Sequence, residues 1–289
     1  MSVDSSPLSI WSNCQPGIQH RINALLNYEA EYFRLRAEFH RQLQDLQYSY
    51  YPHFEQILEQ RRQIINGSSN VSISNGNKPY IVSAKEGIPL FWLTVLKNLD
   101  SYDYPVRSCD EACLKHLTDI RCRLNPPSSQ TTSFALEFHF SSSNPYFSET
   151  ILTKHYWIRL QANVSSPYRS YDGPEIDRCS GCSISWNPNH DLTIRKRIKQ
   201  KRNKITGEIR RVQVEERIPS FFDFFSPPII HENGIQDMSD DDHIRLEADF
   251  QFGLLLKQQV IPKALLYYTG EALSPYGFNT EDSSSNSSS

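Results

Sequence analysis

The segment "IQHRINALLNYEAEYFRLRAEFHRQLQDLQYSYYPHFEQIL", Ile18 to Leu58, contains no glycine and carries apolar side chains at helical spacing. Successive members of the pattern are three or four residues apart, or a sum of those steps, which places them on one face of a helix. We therefore predict a long helix over residues 18–66, bent near Pro52, where proline removes one backbone hydrogen bond. The members of the pattern are Ile18, Ile22, Leu25, Tyr32, Phe39, Leu43, Leu46, Tyr50 and Ile57.

The length of this helix predicts a partner. At about 1.5 Å per residue the helix would be roughly 70 Å long, well beyond the usual length in a globular domain. Further apolar residues widen the apolar face beyond a minimal two-helix seam, which indicates a broad helix–helix contact. We predict that the same helix of a second copy covers this face in a homodimer. The alternative is a helical hairpin that folds back on its own chain, with Pro52 as its bend point.

The other segments predict an α+β fold. Residues 87–273 begin with helical patterns, continue through strands such as "SFALEFHF", in which apolar and polar residues alternate, and end in helical patterns. Three segments are expected to lie outside this domain. They are a flexible N-terminus over residues 1–17, a mobile linker rich in Asn, Ser and Gly over residues 67–86, and a disordered Ser-rich tail over residues 274–289.

Charge is distributed unevenly along the chain. The formal net charge is only -3, yet nine of the 30 Lys and Arg residues lie between Ile194 and Val214. Residues 215–289 carry four Lys or Arg against 13 Asp or Glu. Basic residues lie on both sides of Thr206-Gly207, and apolar and polar residues alternate around Val212 and Val214. We therefore predict a projecting basic β-hairpin over residues 193–214.

Three interpretations of the basic hairpin are open. It could be a nuclear import signal bound by an import receptor, it could contact DNA phosphates, or it could pair with an acidic surface of a neighbouring copy. The run "RKRIKQKRNK" favours the import signal, with residues Arg195, Lys196, Arg197, Lys199, Lys201, Arg202 and Lys204.

Composition and motifs argue against several other classes of protein. No run of apolar residues is long enough for a membrane span and the chain does not start like a secretory signal, so cytosol or nucleus is expected. Cys179 and Cys182 form one CxxC pair without a second pair at a useful distance, so we predict no metal. There is no P-loop, GxSxG, HExxH or GxGxxG motif, so we predict no catalytic residues and no cofactor.

Six phrases follow one another along residues 18–273: "YPHFEQILEQRRQIING", "GIPLFWLTVLKNL", "LEFHFSSSNPYFSETILTKHYWI", "KQKRNKITGEIRRV", "SFFDFFSPP" and "VIPKALLYYTGEAL". In this order they are similar to phrases of the nucleosome assembly protein family of acidic histone chaperones. The resemblance implies a homodimer of antiparallel long helices and an α/β "earmuff" domain over residues 87–273, with the basic hairpin projecting from its sheet. It also implies ATP-independent transfer of core histones to and from DNA, in a protein that shuttles between nucleus and cytoplasm and contacts DNA weakly or indirectly.

Histone binding requires an acidic surface that competes with DNA phosphates for lysine and arginine side chains. Any one carboxylate could instead be a solvated or helix-capping group. A second reading of the whole chain is a non-enzymatic dimeric adaptor of the same fold, which binds partners through its long helix or its acidic surface. The candidate acidic residues are Asp237, Asp240, Asp241, Asp242, Glu247, Asp249, Glu137, Glu149 and Glu271.

Overall fold

In the computed structural model a single helix, α1 (Pro16–Ile65), opens the fold. The structure describes residues 15–68, 71–75, 78–82, 87–99, 104–126, 131–160, 173–202, 209–228 and 238–273. Pro16 lies in the first turn of α1, where its missing N–H has no helical partner to lose. The 50 residues of α1 continue through Pro52 without a break, so the prediction of one long helix is confirmed and the helical hairpin is excluded.

The segment predicted as a mobile linker, residues 67–86, contains a β-hairpin instead. Strands β1 (Val71–Asn75) and β2 (Lys78–Val82) pair antiparallel, from Val71 opposite Val82 to Asn75 opposite Lys78. The prediction rested on the Asn, Ser and Gly content and did not include these strands. Between those residues the segment carries β-branched and aromatic residues, which favour strands.

Two short helices and a four-stranded antiparallel sheet follow. The helices are α2 (Phe91–Lys97) and α3 (Ser108–Leu114). The strands are β3 (Leu117–Leu124), β4 (Thr131–Phe140), β5 (Ile151–Arg159) and β6 (Glu175–Ser180), and they are adjacent in chain order. Strand β5 alternates, so that Leu152, Lys154, Tyr156 and Ile158 point into the core. The predicted α+β class is confirmed.

The basic hairpin forms a separate two-stranded sheet. Strands β7 (Ile194–Arg202) and β8 (Ile209–Arg217) pair antiparallel, and β8 extends three residues beyond the predicted end at Val214. A 3-10 helix, Phe221–Phe225, then brings four buried phenylalanines against the sheet, where Phe138 contacts three of their rings.

The C-terminal part of the fold is helical and divided at Pro262. It consists of α4 (Asp240–Leu255), a π-helical turn (Leu256–Val260), α5 (Ala264–Thr269) and a 3-10 turn (Glu271–Leu273). The core is formed by the inner face of the sheet, the phenylalanines of the 3-10 helix, and apolar residues of α2, α4 and the π-helical turn. Within the described ranges, no helix is both long enough and apolar enough to span a bilayer.

Candidate functional site

One face of α1 exposes apolar side chains that the described part of its own chain does not cover. Seven of the nine predicted dimerisation residues are 47–63% exposed, whereas Ile22 and Leu43 are half-buried within the chain. Tyr28 is 75% exposed and extends the face although the prediction omitted it; it lies three residues after Leu25 and four before Tyr32. An apolar face of this size marks an interaction site. The seven residues are Ile18, Leu25, Tyr32, Phe39, Leu46, Tyr50 and Ile57, and we call this face the α1 stripe.

The C-terminal part of α1 is attached to the α/β domain by packing and charge. Ile65 is buried in the core, and the Arg61 guanidinium lies 5.5 Å from the centre of the Trp92 ring. Glu55 pairs with Arg123 of β3, and Glu59 lies 3.3 Å from the Arg121 guanidinium. The α1 stripe is therefore presented by a helix that is fixed to the domain at one end.

The three aspartates at the start of α4 serve two of the predicted roles, helix capping and an exposed acidic surface. Asp240 and Asp241 are exposed, and Asp242 is partly exposed. The Ser239 hydroxyl accepts a hydrogen bond from the Asp242 backbone N–H at 3.2 Å and donates one to the Asp242 carboxylate at 2.8 Å. Ser239 and Asp242 therefore cap the helix, while Asp240 and Asp241 leave their charge available to solvent.

The other predicted acidic residues lie in different surroundings. Glu247 and Glu271 are exposed, and Asp237 lies outside the described residues. Glu137 is 3.2 Å from Arg123 and 3.1 Å from His139, so its charge is already paired. The Glu149 carboxylate accepts a hydrogen bond from the Ser185 backbone N–H. Burial raises the pKa of Glu149, but this hydrogen bond and neighbouring ones lower it by more, so that the pKa of Glu149 is lowered overall.

Asp249 is completely buried, so its prediction as a surface residue was wrong. Its carboxylate is 2.6 Å from the Lys154 ammonium and accepts hydrogen bonds from the Tyr156 hydroxyl at 2.8 Å and the Tyr104 hydroxyl at 2.9 Å. The Lys154 ammonium also donates to the backbone carbonyl of Phe224 at 2.7 Å. Helical spacing could have revealed this position, because Leu246, Asp249, Phe250 and Gly253 share the inner face of α4.

The buried pair draws α4 tightly onto β5. A Cβ atom on Gly253 would lie 2.6 Å from the Tyr156 ring, so only glycine allows this approach. Burial lowers the pKa of Lys154, and the neighbouring Asp249 carboxylate opposes that change. Burial is the main cause that raises the pKa of Tyr156 well above its ordinary value, and the Asp249 carboxylate raises it further. Because this network fixes α4, it also fixes the acidic first turn relative to the sheet.

The basic hairpin exposes four of the predicted import-signal residues, Arg195, Lys196, Arg197 and Lys199. Lys201 and Arg202 lie in β7, and Lys204 lies outside the described residues. Acidic residues oppose the strand only near its base, where Lys196 pairs in register with Glu215 and Arg195 with Glu216. Farther along the strands, Lys201 pairs in register with Arg210.

The sequence matches the family model described as "Nucleosome assembly protein (NAP)" over residues 20–271. The chain belongs to the nucleosome assembly protein family. Among its relatives, the mouse "Nucleosome assembly protein 1-like 1" is 36% identical over 279 residues, covering 89% of this chain and 70% of the relative. The human protein of that name is 35% identical, with the same coverage of both chains.

Solved structures of nucleosome assembly proteins share the fold. The structure titled "Nucleosome Assembly Protein 1 from Plasmodium knowlesi" has a TM-score of 0.55 and 24% identity, covering 89% of this chain and 99% of that one. A malaria parasite nucleosome assembly protein has a TM-score of 0.50 and 23% identity, covering 89% of this chain and 98% of that one. At these identities the likeness concerns the fold alone.

In this nucleosome assembly protein the CxxC cysteines are packed into the domain. The Cys182 sulfur accepts the Thr153 backbone N–H at 3.3 Å, and burial raises the pKa of Cys179 to about 12. Among the residues that the structure describes, no three His, Cys, Asp or Glu side chains are grouped so as to hold a metal ion. Both thiols are partly buried and pack against the core of the domain.

Proposed function

We propose that this chain is a histone chaperone, which binds core histones and mediates nucleosome assembly and disassembly without ATP. The observation that carries the proposal is the family match over residues 20–271, which spans the long helix and the α/β domain. The names of the relatives, nucleosome assembly proteins, support the same activity. We further propose that it acts as a homodimer of antiparallel long helices, because the α1 stripe is exposed in the single chain.

The proposed mechanism is electrostatic competition. Histones carry clustered lysine and arginine side chains that bind DNA phosphates, and a protein carboxylate surface competes for the same groups. Asp240, Asp241 and Glu247 present such charge on the exposed side of α4, and the buried Lys154–Asp249 pair holds that helix in place. Histone held in this way is withheld from non-specific DNA and is released where nucleosomal contacts are stronger. No covalent step or cofactor is needed.

Reversing three exposed charges of α4 should weaken histone binding. In the variant Asp240→Lys, Asp241→Lys, Glu247→Lys we expect affinity for core histones to fall at least about tenfold at physiological salt, because attraction becomes repulsion at each position. The salt dependence of binding should decrease in parallel. Titration of fluorescently labelled histones at several salt concentrations measures both quantities.

The matched control reverses three exposed acids of the long helix, Glu29, Glu31 and Asp45, so that the change in net charge is the same. We expect this control to retain most of the affinity. An equal loss in both variants would show that total charge, and not the α4 surface, determines binding.

The function itself is tested by adding the purified protein to core histones bound non-specifically to DNA. We expect histones to leave these complexes and nucleosomes then to form without ATP, detected by nuclease protection of nucleosome-length DNA. If a stable dimer neither removes nor deposits histones, the adaptor function replaces the chaperone function. The burial of Asp249 and the pairing of Glu137 favour that alternative, since they leave a smaller acidic surface among the described residues than the sequence predicts.

We also propose that the basic hairpin carries a nuclear import signal and that the protein shuttles between nucleus and cytoplasm. Replacing Lys199, Lys201, Arg202 and Lys204 with glutamine should shift the protein toward the cytoplasm, because import receptors recognise clustered positive charge. Fluorescence microscopy of the tagged protein measures the nuclear fraction.

The control replaces four exposed basic residues outside the hairpin, Arg21, Lys115, Arg245 and Lys263, with glutamine. A nuclear fraction unchanged by the hairpin substitutions would contradict the assignment.

A further inference from the structure

A groove of about 540 Å³ lies between the C-terminal half of α1, strand β3 and the turn around Pro262. Its walls are mainly apolar, with Tyr51, Phe54 and Leu58 on the helix side and Ile120 and Leu124 on the strand side. A cavity of this volume is in the range that accepts several large side chains or a drug-sized ligand. Nothing in the described chain fills it.

The groove is continuous with the α1 stripe. Phe54 and Ile57 line the groove and are also 58% and 63% exposed on the outer face of the helix. The surface that we propose a second copy covers therefore leads directly into the groove. A segment that fills the groove would therefore lie at the edge of the dimer contact.

Antiparallel pairing of two α1 helices places the start of the partner's helix beside this groove. We place the two-fold axis at the centre of the stripe, midway between Ile18 and Ile57, which sets Ile18 opposite the partner's Ile57. The same axis sets Pro16, the first residue of α1, opposite the partner's Glu59, which lines the groove. The chain that precedes Pro16 thus begins within reach of the groove of the other copy.

Residues 8–11 cannot reach the groove of their own copy. From Pro16 to Tyr51 the helix extends about 50 Å at 1.5 Å per residue, whereas the five residues from Trp11 to Pro16 span at most about 18 Å. Only a second, antiparallel copy can supply this segment to the groove.

The sequence before α1 has a short apolar cluster suited to an apolar groove. Leu8, Ile10 and Trp11 stand in the stretch "PLSIWSNCQ", whose other residues are mostly small or polar. We propose that residues 8–11 of each copy occupy the groove of the other copy and thereby lock the antiparallel dimer. This inference rests on the homodimer of the proposed function and adds a named segment and its binding site.

Photo-crosslinking of the full chain tests the inference. With p-benzoylphenylalanine in place of Trp11, irradiation should give a covalent dimer whose crosslinked peptides include residues 117–124 or 257–262. The control places the same amino acid at Tyr28, which the antiparallel pairing sets opposite the partner's Gln47, and should crosslink helix to helix. A crosslink from position 28 between chains, with none from position 11 to the groove, overturns the inference and leaves the dimer intact. No interchain crosslink from either position, with a single-chain mass in sedimentation, overturns the homodimer and the inference together.

Dimer affinity gives a second readout. Trp11→Ala should raise the dimer dissociation constant at least about tenfold, since each dimer loses two large apolar contacts. Ser12→Ala, next to it, should leave the constant within about twofold, the size of an ordinary surface substitution. A dissociation constant unchanged in Trp11→Ala contradicts the proposed contact.

Discussion

The variant Leu25→Asp, Phe39→Asp, Leu46→Asp should convert the proposed homodimer into a monomer at micromolar concentration. The three side chains are 63%, 61% and 56% exposed in the single chain, so the fold of one copy does not depend on them. In the proposed dimer each is covered, and each substitution occurs twice, once in each copy. Losing about 1.5–3 kcal/mol per apolar side chain, and burying charge in its place, should weaken association more than about a thousandfold. Sedimentation equilibrium measures the change.

The control for this variant substitutes aspartate on the opposite side of the helix. Asn23→Asp, Asn27→Asp, Ala30→Asp introduces charge at three exposed positions away from the α1 stripe. We expect it to remain dimeric, with helix content by circular dichroism equal to that of the unmodified chain. If the stripe variant dimerises as tightly as this control, the α1 stripe is not the interface, and both the homodimer and the occupied groove lose their basis.

The second large effect is expected at the buried Lys154–Asp249 pair. Asp249→Ala leaves the Lys154 ammonium buried without its counter-ion and removes the acceptor of the Tyr104 and Tyr156 hydroxyls. Breaking a buried pair from one side costs about 3–5 kcal/mol of unfolding free energy. Lys154→Met combined with Asp249→Leu removes both charges and should recover a large part of that loss, although the two hydroxyls remain without their acceptor. Urea unfolding of the single and double variants measures these free energies.

An exposed ion pair provides the comparison. Arg159 lies 2.7 Å from Glu175, with 41% and 50% of the two side chains exposed. Arg159→Ala should cost less than about 1 kcal/mol, since water screens exposed pairs. If Asp249→Ala costs no more than Arg159→Ala, the Lys154–Asp249 pair does not hold α4 to the sheet.

The candidate acidic surface could be predicted only in part. Asp240 and Asp241 lie where the sequence places them, exposed in the first turn of a helix. Asp249 has the same charge and lies within the same helix, yet it is buried. Its partner Lys154 is on β5, and the local sequence around Asp249 does not show which residue pairs with it across that distance in the chain. Helical spacing marks position 249 as inward, but a carboxylate there conflicts with the usual exposure of acidic residues.

The features that could be predicted from the sequence are those that depend on neighbours in the chain. The three- and four-residue spacing from Ile18 to Ile57 predicts the long helix, alternation predicts the central strands, and clustered lysines and arginines predict the basic hairpin. Each of these predictions depends on the geometry of a single helix, strand or turn, because side-chain periodicity and turn residues act over a few positions in the chain. The family resemblance rests on the same local phrases, and the match over residues 20–271 confirms it.

The packing of elements that are distant in sequence determines which of these side chains are covered and by what. This packing buries Asp249 against Lys154, leaves the α1 stripe exposed among the described residues, and forms a groove beside Phe54. Burial of a side chain depends on contacts between elements that are far apart in sequence. The free energy of a charged group depends far more on whether it is buried and paired than on its residue type. A carboxylate can therefore be an acidic surface group or half of a buried ion pair, and the packing of α4 on β5 decides between them for Asp249.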